Sequence, residues 1–382
     1  MFVELTAEQR EARQRYRAFV DEHVAPHAGT WDRQGEVPFD AIDRLRGEGL
    51  LGSPLPQELG GGGLDPITYG LLTEAMGMGC SSLRSLLTVH DMVSLTLERW
   101  GKPSVREAWS PRLARAEVLA ALALSEPNVG SDAAGVETTA RKDGDSWVLD
   151  GRKKWITFGE IADVFLVFAR VDDDSGEARP SAFWLPADTS GLSRRPLRGV
   201  VGTRASRLAE LELDGCRVPE DHLLARVGLG ISFVGATALD HGRYSVAWGA
   251  VGIAQACLDA SLGYASKRKQ FGVPLADHQL VSRRLTQMIT EVRAARLLCY
   301  RAGHLRQQGD PSALGETMIA KYHASRTAVA VADSAVQLHG ANGLSEDFPL
   351  ERHLRDAKVT EIIEGSTEIQ QITIPGLVLG EL

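Results

Sequence analysis

Arg352-His353-Leu354-Arg355-Asp356-Ala357-Lys358-Val359-Thr360-Glu361-Ile362-Ile363-Glu364-Gly365-Ser366-Thr367-Glu368-Ile369-Gln370 reads as the end of one helix and the start of another. Pro349 suits the first turn of the first helix, and Gly365 suits its stop. Glu364 then falls at the helix's last residue, where the carbonyl end of the dipole raises a carboxylate's pKa and strengthens it as a base. Ser366 and Thr367 offer an N-cap to the second helix, whose free N–H groups suit an anion. A glutamate beside a C-cap glycine is also common with no chemistry attached, and these residues alone leave both readings open.

The pattern resembles the C-terminal signature of the acyl-CoA dehydrogenase family: R-D-A-K, a short apolar stretch, then E-G-[TS]-x-[EQ]-I-Q. The resemblance implies that Glu364 is the catalytic base and that Ser366 and Glu368 lie on the cofactor side. Ile363 stands where an aromatic residue is usual, which changes one wall of the acyl pocket.

Working outward, 382 residues allow two or three domains around sizeable cores. A hydrophobic share of 43% with 24% charged residues is that of an ordinary globular protein. A net charge of −8 argues against a general nucleic-acid binder. The N-terminal stretch is charged and lacks an apolar signal core, and no apolar run approaches the roughly 18 residues that span a bilayer. Cys80, Cys216, Cys257 and Cys299 are far apart and form no C-x-x-C. Neither a metal site nor a disulfide framework is therefore expected, and the cytoplasm is the expected compartment.

Thr6-Ala7-Glu8-Gln9 is a capping box that opens an amphipathic helix running towards Pro26. Further helices are predicted from Pro38 to Gly49 or Gly52, over 67–77 and over 83–100. The four glycines Gly60 to Gly63 follow no strand, so a flexible turn is predicted and not a phosphate cradle. Residues 1–117 thus read as an all-helical N-terminal domain. From Val118 short apolar runs recur at 118–124, 147–149, 154–157, 164–169, 182–185 and 208–213. Asp143-Gly144, Asp150-Gly151, Asp172 to Gly176 and Asp214-Gly215 separate them as turns, predicting a small antiparallel β-barrel over 118–227. Helical periodicity returns over 228–382. Val281, Leu285, Met288, Val292, Ala295 and Cys299 make one apolar stripe, and four long helices predict a C-terminal four-helix bundle. The fold class is α+β, with helical, β and helical segments in succession.

Five further motifs stand in the family's order. Leu122-Ala123-Leu124-Ser125-Glu126-Pro127-Asn128-Val129-Gly130-Ser131-Asp132 ends a strand in a polar loop and resembles T-E-P-x-A-G-S-D. The likeness implies flavin contacts from Leu122, Leu124, Ser125, Gly130 and Ser131, with Ser131 also near the thioester arm. Gly151-Arg152-Lys153-Lys154-Trp155-Ile156-Thr157 resembles G-x-K-x-W-I-T-N. It implies that Trp155 stacks on the isoalloxazine and Thr157 bonds its N5 edge; by itself Trp155 reads equally as barrel core. Phe158 replaces the usual asparagine. Leu239-Asp240-His241-Gly242-Arg243 resembles L-D-x-G-R, implying substrate-side roles for Asp240 and Arg243. Some members carry the base at the position of Gly242, which leaves Glu364 as the candidate here. Arg268-Lys269-Gln270-Phe271-Gly272-Val273-Pro274-Leu275, followed by His278-Gln279, resembles R-x-Q-F-G-x-P-L-x-x-x-Q. Together with Gln337, Gly340 and Ala341 of an A-V-Q-x-x-G-G-x-G-like stretch, it implies that Arg268, Phe271 and Gln279 reach FAD bound mainly by a neighbouring subunit. A homodimer or homotetramer follows from that implication.

The resemblance as a whole implies an FAD-dependent acyl thioester dehydrogenase with an electron-transferring flavoprotein or similar acceptor. Proton loss alpha to the thioester would be assisted by the Glu364 backbone N–H and the flavin ribityl chain. Val89-His90-Asp91-Met92 lies where the family lines its acyl pocket, so His90 is a candidate contact to a short or oxygenated acyl chain. Arg194, Arg195, Arg198, Arg204 and Arg207 crowd one loop, readable as a solvated face or as a dock for an acyl carrier protein of secondary metabolism. An oxygen-using acyl-CoA oxidase and a redox-silent scaffold of the same fold are the alternatives.

Overall fold

A computed structural model describes residues 4–172 and 178–380. Six helices open the chain: α1 Ala7–His23, α2 Ala25–Gln34, α3 Phe39–Gly47, α4 Pro66–Gly79, α5 Ser81–Trp100 and α6 Pro103–Ala114. The capping box is formed, with the Thr6 and Gln9 side chains each accepting the other's backbone N–H. Two short helices escape the sequence reading. Pro26 lies in the first turn of α2, and α6 carries Pro111 inside it. The four glycines make a tight turn instead of a loose one: a Cβ on Gly61 would fall 2.3 Å from the Leu55 carbonyl oxygen.

Eight strands follow: β1 Ala120–Ala123, β2 Thr139–Asp143, β3 Ser146–Ile156, β4 Val164–Asp172, β5 Ala178–Pro186, β6 Leu192–Pro196, β7 Ala209–Pro219 and β8 Leu223–Leu224. They form one sheet in the order β6-β7-β3-β2-β4-β5-β8, with β1 beside β4. The sheet is mixed, a correction to the all-antiparallel expectation. β1 runs parallel to β4, and β2 meets β4 in parallel at Thr139↔Arg170. The cause is the loop between β1 and β2, which leaves the sheet and returns to the same edge of β4 in the same direction. Two predicted turns are bulges inside long strands. The β3–β7 register shifts between Leu149 and Gly151, and Gly215 donates its N–H to Asp150 Oδ1 at 2.7 Å. The turn expected from Asp172 to Gly176 lies, beyond Asp172, outside the described residues.

The remaining helices are α7 Ala236–Lys267, α8 Gln279–Gln308, α9 Ala313–His339, α10 Leu350–Ile362 and α11 Thr367–Gly380. Residues 230–267 are apolar enough on average, and long enough, to cross a membrane, although no unbroken apolar run exists there. Within the protein α4, α5, α8 and α9 pack around this helix. The predicted stripe on α8 is the buried one, with Leu285, Met288, Val292, Ala295 and Cys299 inside.

Two hydrophobic cores result, one among the helices and one in the sheet. α5 belongs to both: Leu83, Leu86 and Leu87 pack into the first, and Val89, Met92, Val93 and Leu97 into the second. The functional cavity opens along this shared helix.

Candidate active site

A cavity of about 730 Å³ lies between α5, the β1–β2 loop, the end of β3, the start of α7 and the α10–α11 junction. Eleven expected residues line it: Leu122, Leu124, Ser125, Gly130, Ser131, Trp155, Thr157, Arg243, Ile363, Glu364 and Ser366. Trp155 is 52% exposed and has φ 65°, so the core-packing alternative does not hold. A buried ion pair anchors the polar loop beneath it. Lys153 Nζ lies 2.7 Å from Glu126 Oε1, and the Glu126 carboxylate accepts the N–H groups of Glu137 and Thr138 at 2.6 and 2.9 Å.

Glu364 is not the last residue of its helix. α10 ends at Ile362, Ile363 is extended, and Glu364 and Gly365 both turn left-handed with φ 57° and 87°. This is a conformation that non-glycine residues rarely adopt. Four hydrogen bonds hold it. Arg243 Nε donates to the Glu364 carbonyl at 3.0 Å, and Lys321 Nζ donates to the Gly365 carbonyl at 2.7 Å. Gln370 Nε2 donates to the same two carbonyls at 3.3 and 3.2 Å. Ser366 Oγ accepts the N–H of Ile369, so the predicted cap of α11 is present.

The residue as a whole is half-buried, whereas its Oε2 has no exposed surface and no hydrogen-bond partner. Burial raises the carboxyl to a pKa of about 7, opposed by the charges of Arg243, Lys321 and Arg84. Desolvation thus replaces the expected helix dipole as the source of basicity. The carboxyl needs room, and α7 supplies it: a Cβ on Gly242 would fall 2.5 Å from Glu364 Oε2. Gly242 therefore belongs to the site by its missing side chain.

The R-D-A-K run and Arg352 just before it hold the walls together. Arg352 donates to the Gly79 carbonyl at 3.0 Å. Asp356 accepts the Thr203 N–H at 2.6 Å and so fixes the loop 200–206 over the cavity.

Two expected substrate contacts are corrected. His90 faces away from the cavity: its Nε2 lies 3.0 Å from the Leu113 carbonyl and its Nδ1 accepts the Ala120 N–H at 3.4 Å. Burial lowers its pKa to about 4. Asp240 also points elsewhere and pairs with Arg306. Glu368 sits exposed in the first turn of α11, outside the cavity lining.

Arg268, Phe271, Gln279, Gln337, Gly340 and Ala341 lie apart from the cavity, at the far end of the bundle. There Tyr264 stacks on His339 at 4.1 Å and accepts a hydrogen bond from Asn342 Nδ2 at 2.8 Å, joining the ends of α7 and α9. Phe271 is 96% exposed at φ 52°.

Sequence reasoning missed Arg84, Ser85 and Thr88 on α5 and Lys321 on α9. All but Lys321 line the cavity, and Lys321 is buried beside Glu364 with its pKa lowered to about 8, chiefly by desolvation. The signal for Arg84 was a lone charge in the small and apolar run from Ser82 to Leu87.

Three family models match this chain in succession: acyl-CoA dehydrogenase N-terminal domain over residues 6–117, middle domain over 121–216 and C-terminal domain over 228–376. The chain belongs to the acyl-CoA dehydrogenase family. It is therefore an oxidoreductase of the type acting on CH–CH groups. Human short-chain specific acyl-CoA dehydrogenase is 37% identical over 99% of this chain and 91% of its own length. Butyryl-CoA dehydrogenase from Megasphaera elsdenii superposes with a TM-score of 0.95 at 33% identity, covering 99% of this chain and 100% of that one. A prolyl acyl carrier protein oxidase, AnaB, superposes with a TM-score of 0.93 at 29% identity, covering 98% of this chain and 100% of its own.

Proposed function

We propose that this acyl-CoA dehydrogenase family member removes two hydrogens from the α and β carbons of an acyl thioester, with Glu364 as the base. The observation that carries the reading is the Glu364 carboxyl: sealed, raised to about 7, without a partner on Oε2, and facing a wide cavity. An unpartnered acceptor suits a carbon acid, which brings no competing hydrogen bond of its own.

The residues around the cavity fit FAD. Trp155 is exposed and lines the cavity, together with the hydroxyl-bearing Ser125, Ser131 and Thr157 and with Leu122 and Leu124. When bound there, FAD would supply the acceptor for the hydride that leaves the β carbon. Glu364 takes the α proton, its left-handed backbone aiming the carboxylate across the space left by Gly242. Its backbone N–H is the proposed donor to the thioester oxygen as negative charge gathers there. Arg243 fixes the Glu364 carbonyl and orders this turn without moving a proton. An electron-transferring flavoprotein or a similar acceptor is the proposed electron partner.

The thioester is carried by CoA or by an acyl carrier protein. The arginine loop gives the second carrier little support, because its guanidiniums are engaged within the chain. Arg194 donates to the Ala162 carbonyl, Arg195 pairs with Glu210, Arg198 with Glu160, and Arg207 with Glu36 and Glu160. Arg204 donates to the Val200 carbonyl. Turnover of one acyl group on both carriers separates the two. The base assignment is tested by Glu364→Gln, which is expected to retain FAD and lose about 10²–10⁴-fold in turnover. Turnover within a few-fold of the wild type would remove Glu364 from the role.

A further inference from the structure

Arg84 is a fully buried guanidinium that lines the cavity. Among the described residues its guanidinium donates to neutral hydroxyls of its own helix, Thr88 Oγ1 at 2.9 Å and Ser85 Oγ at 3.0 Å. Its Nε is buried with no partner, and among the described residues no carboxylate stands within ion-pair distance of it. A guanidinium stays charged in a protein, and a buried charge without a counter-ion is destabilising. The fold nevertheless makes room for it: a Cβ on Gly249 of α7 would fall 2.2 Å from Arg84 Cδ. Val89, Met92, Leu239 and Ile363 form apolar stretches of the same lining, as an acyl chain requires. Glu364 is the carboxylate whose charge acts most on Arg84, but it exchanges that charge for a proton in the proposed reaction.

We propose that Arg84, with the hydroxyls of Ser85 and Thr88, forms a subsite for a carboxylate at the far end of the acyl group. The preferred substrate is then the monothioester of a dicarboxylic acid. This rests on the reading of the cavity as an acyl thioester site. A distal carboxylate supplies the missing counter-ion and accepts from the guanidinium edge, while a methyl terminus leaves the charge unpaired. Thr88 Oγ1 lies 2.6 Å from Ser245 Oγ, so α7 helps hold the hydroxyl in place.

The test compares five-carbon acyl groups that differ only at the far end, glutaryl and pentanoyl, each presented on CoA and on a phosphopantetheinyl carrier protein. With the FAD-loaded enzyme, kcat/KM is expected to favour glutaryl by at least about tenfold on whichever carrier is accepted. Arg84→Gln is expected to lower the glutaryl-to-pentanoyl ratio by about 10²-fold, and Arg84→Lys to restore part of it. A wild type that prefers pentanoyl, or an Arg84→Gln enzyme that loses both substrates in proportion, would overturn the subsite. Calorimetric binding of the same thioesters to FAD-loaded Glu364→Gln reads the preference without turnover. If glutaryl binds more tightly there but neither thioester reduces the flavin in the wild type, the dehydrogenase reading fails and the subsite stands. Equal binding of the two contradicts the subsite alone.

Discussion

Glu364 adopts a left-handed backbone that costs about 1–3 kcal/mol for a residue with a side chain, and three neighbouring side chains hold its turn in place. Its ordinary pKa of 4.5 is raised to about 7, and the base is the ionised form. The rising limb of kcat/KM against pH is therefore expected to reach its half-maximum near 7. Lys321 opposes that rise by its charge, so Lys321→Met is expected to move the limb to higher pH, read from the same profile. A limb that stays in place would show that Lys321 only holds the backbone. Gly242→Ala puts a methyl carbon 2.5 Å from Oε2, too close for the carboxyl to stay where it is, and is expected to cut kcat by about 10²-fold with FAD content unchanged. The identity of this base was legible in the letters around it. The source of its basicity was not, because burial is set by α5, α7 and α9, which no local pattern brings together. His90 was misplaced for a reason that helical geometry could have supplied. Arg84, Thr88 and Met92 share a face at steps of four, and His90 lies on the opposite side.

At the level of elements, the β1–β2 loop depends on one buried pair. Lys153 and Glu126 are both sealed, and Glu126 also holds two backbone N–H groups at the loop's return. Lys153→Met leaves that carboxylate unpaired and is expected to lower stability by about 3–5 kcal/mol. Denaturant unfolding measures the loss, and flavin absorbance per chain is expected to fall with it. Strands and helices with strong apolar periodicity were legible, as the stripe on α8 shows. What escaped was structure whose signal is polar or interrupted. β6, Leu192-Ser193-Arg194-Arg195-Pro196, is an exposed edge strand, and α2 and α6 contain prolines. Asp150-Gly151 and Asp214-Gly215 carry turn residues because a bulge needs the same backbone freedom as a turn.

Across the whole molecule, the helical and sheet cores meet on α5, and the cavity between them gathers residues from 84 to 369. The second set of resemblance-derived FAD contacts is at the far end of the bundle, where Phe271 stands free in solution. One chain does not bring both sets to one cavity. A second copy is the economical way to unite them, and Arg268→Ala is expected to lower FAD retention in the oligomeric fraction separated by size-exclusion chromatography with light scattering. A monomer that keeps FAD fully would contradict this arrangement. The central claim remains the pairing of a buried carboxylate with a bound flavin across one acyl chain. Its most direct measurement is anaerobic mixing of the FAD-loaded protein with saturated acyl thioesters while the flavin absorbance is followed. The account predicts rapid bleaching in the wild type and loss of that bleaching in Glu364→Gln at equal flavin content. Bleaching at the same rate in both proteins, or in neither with any thioester, would contradict it.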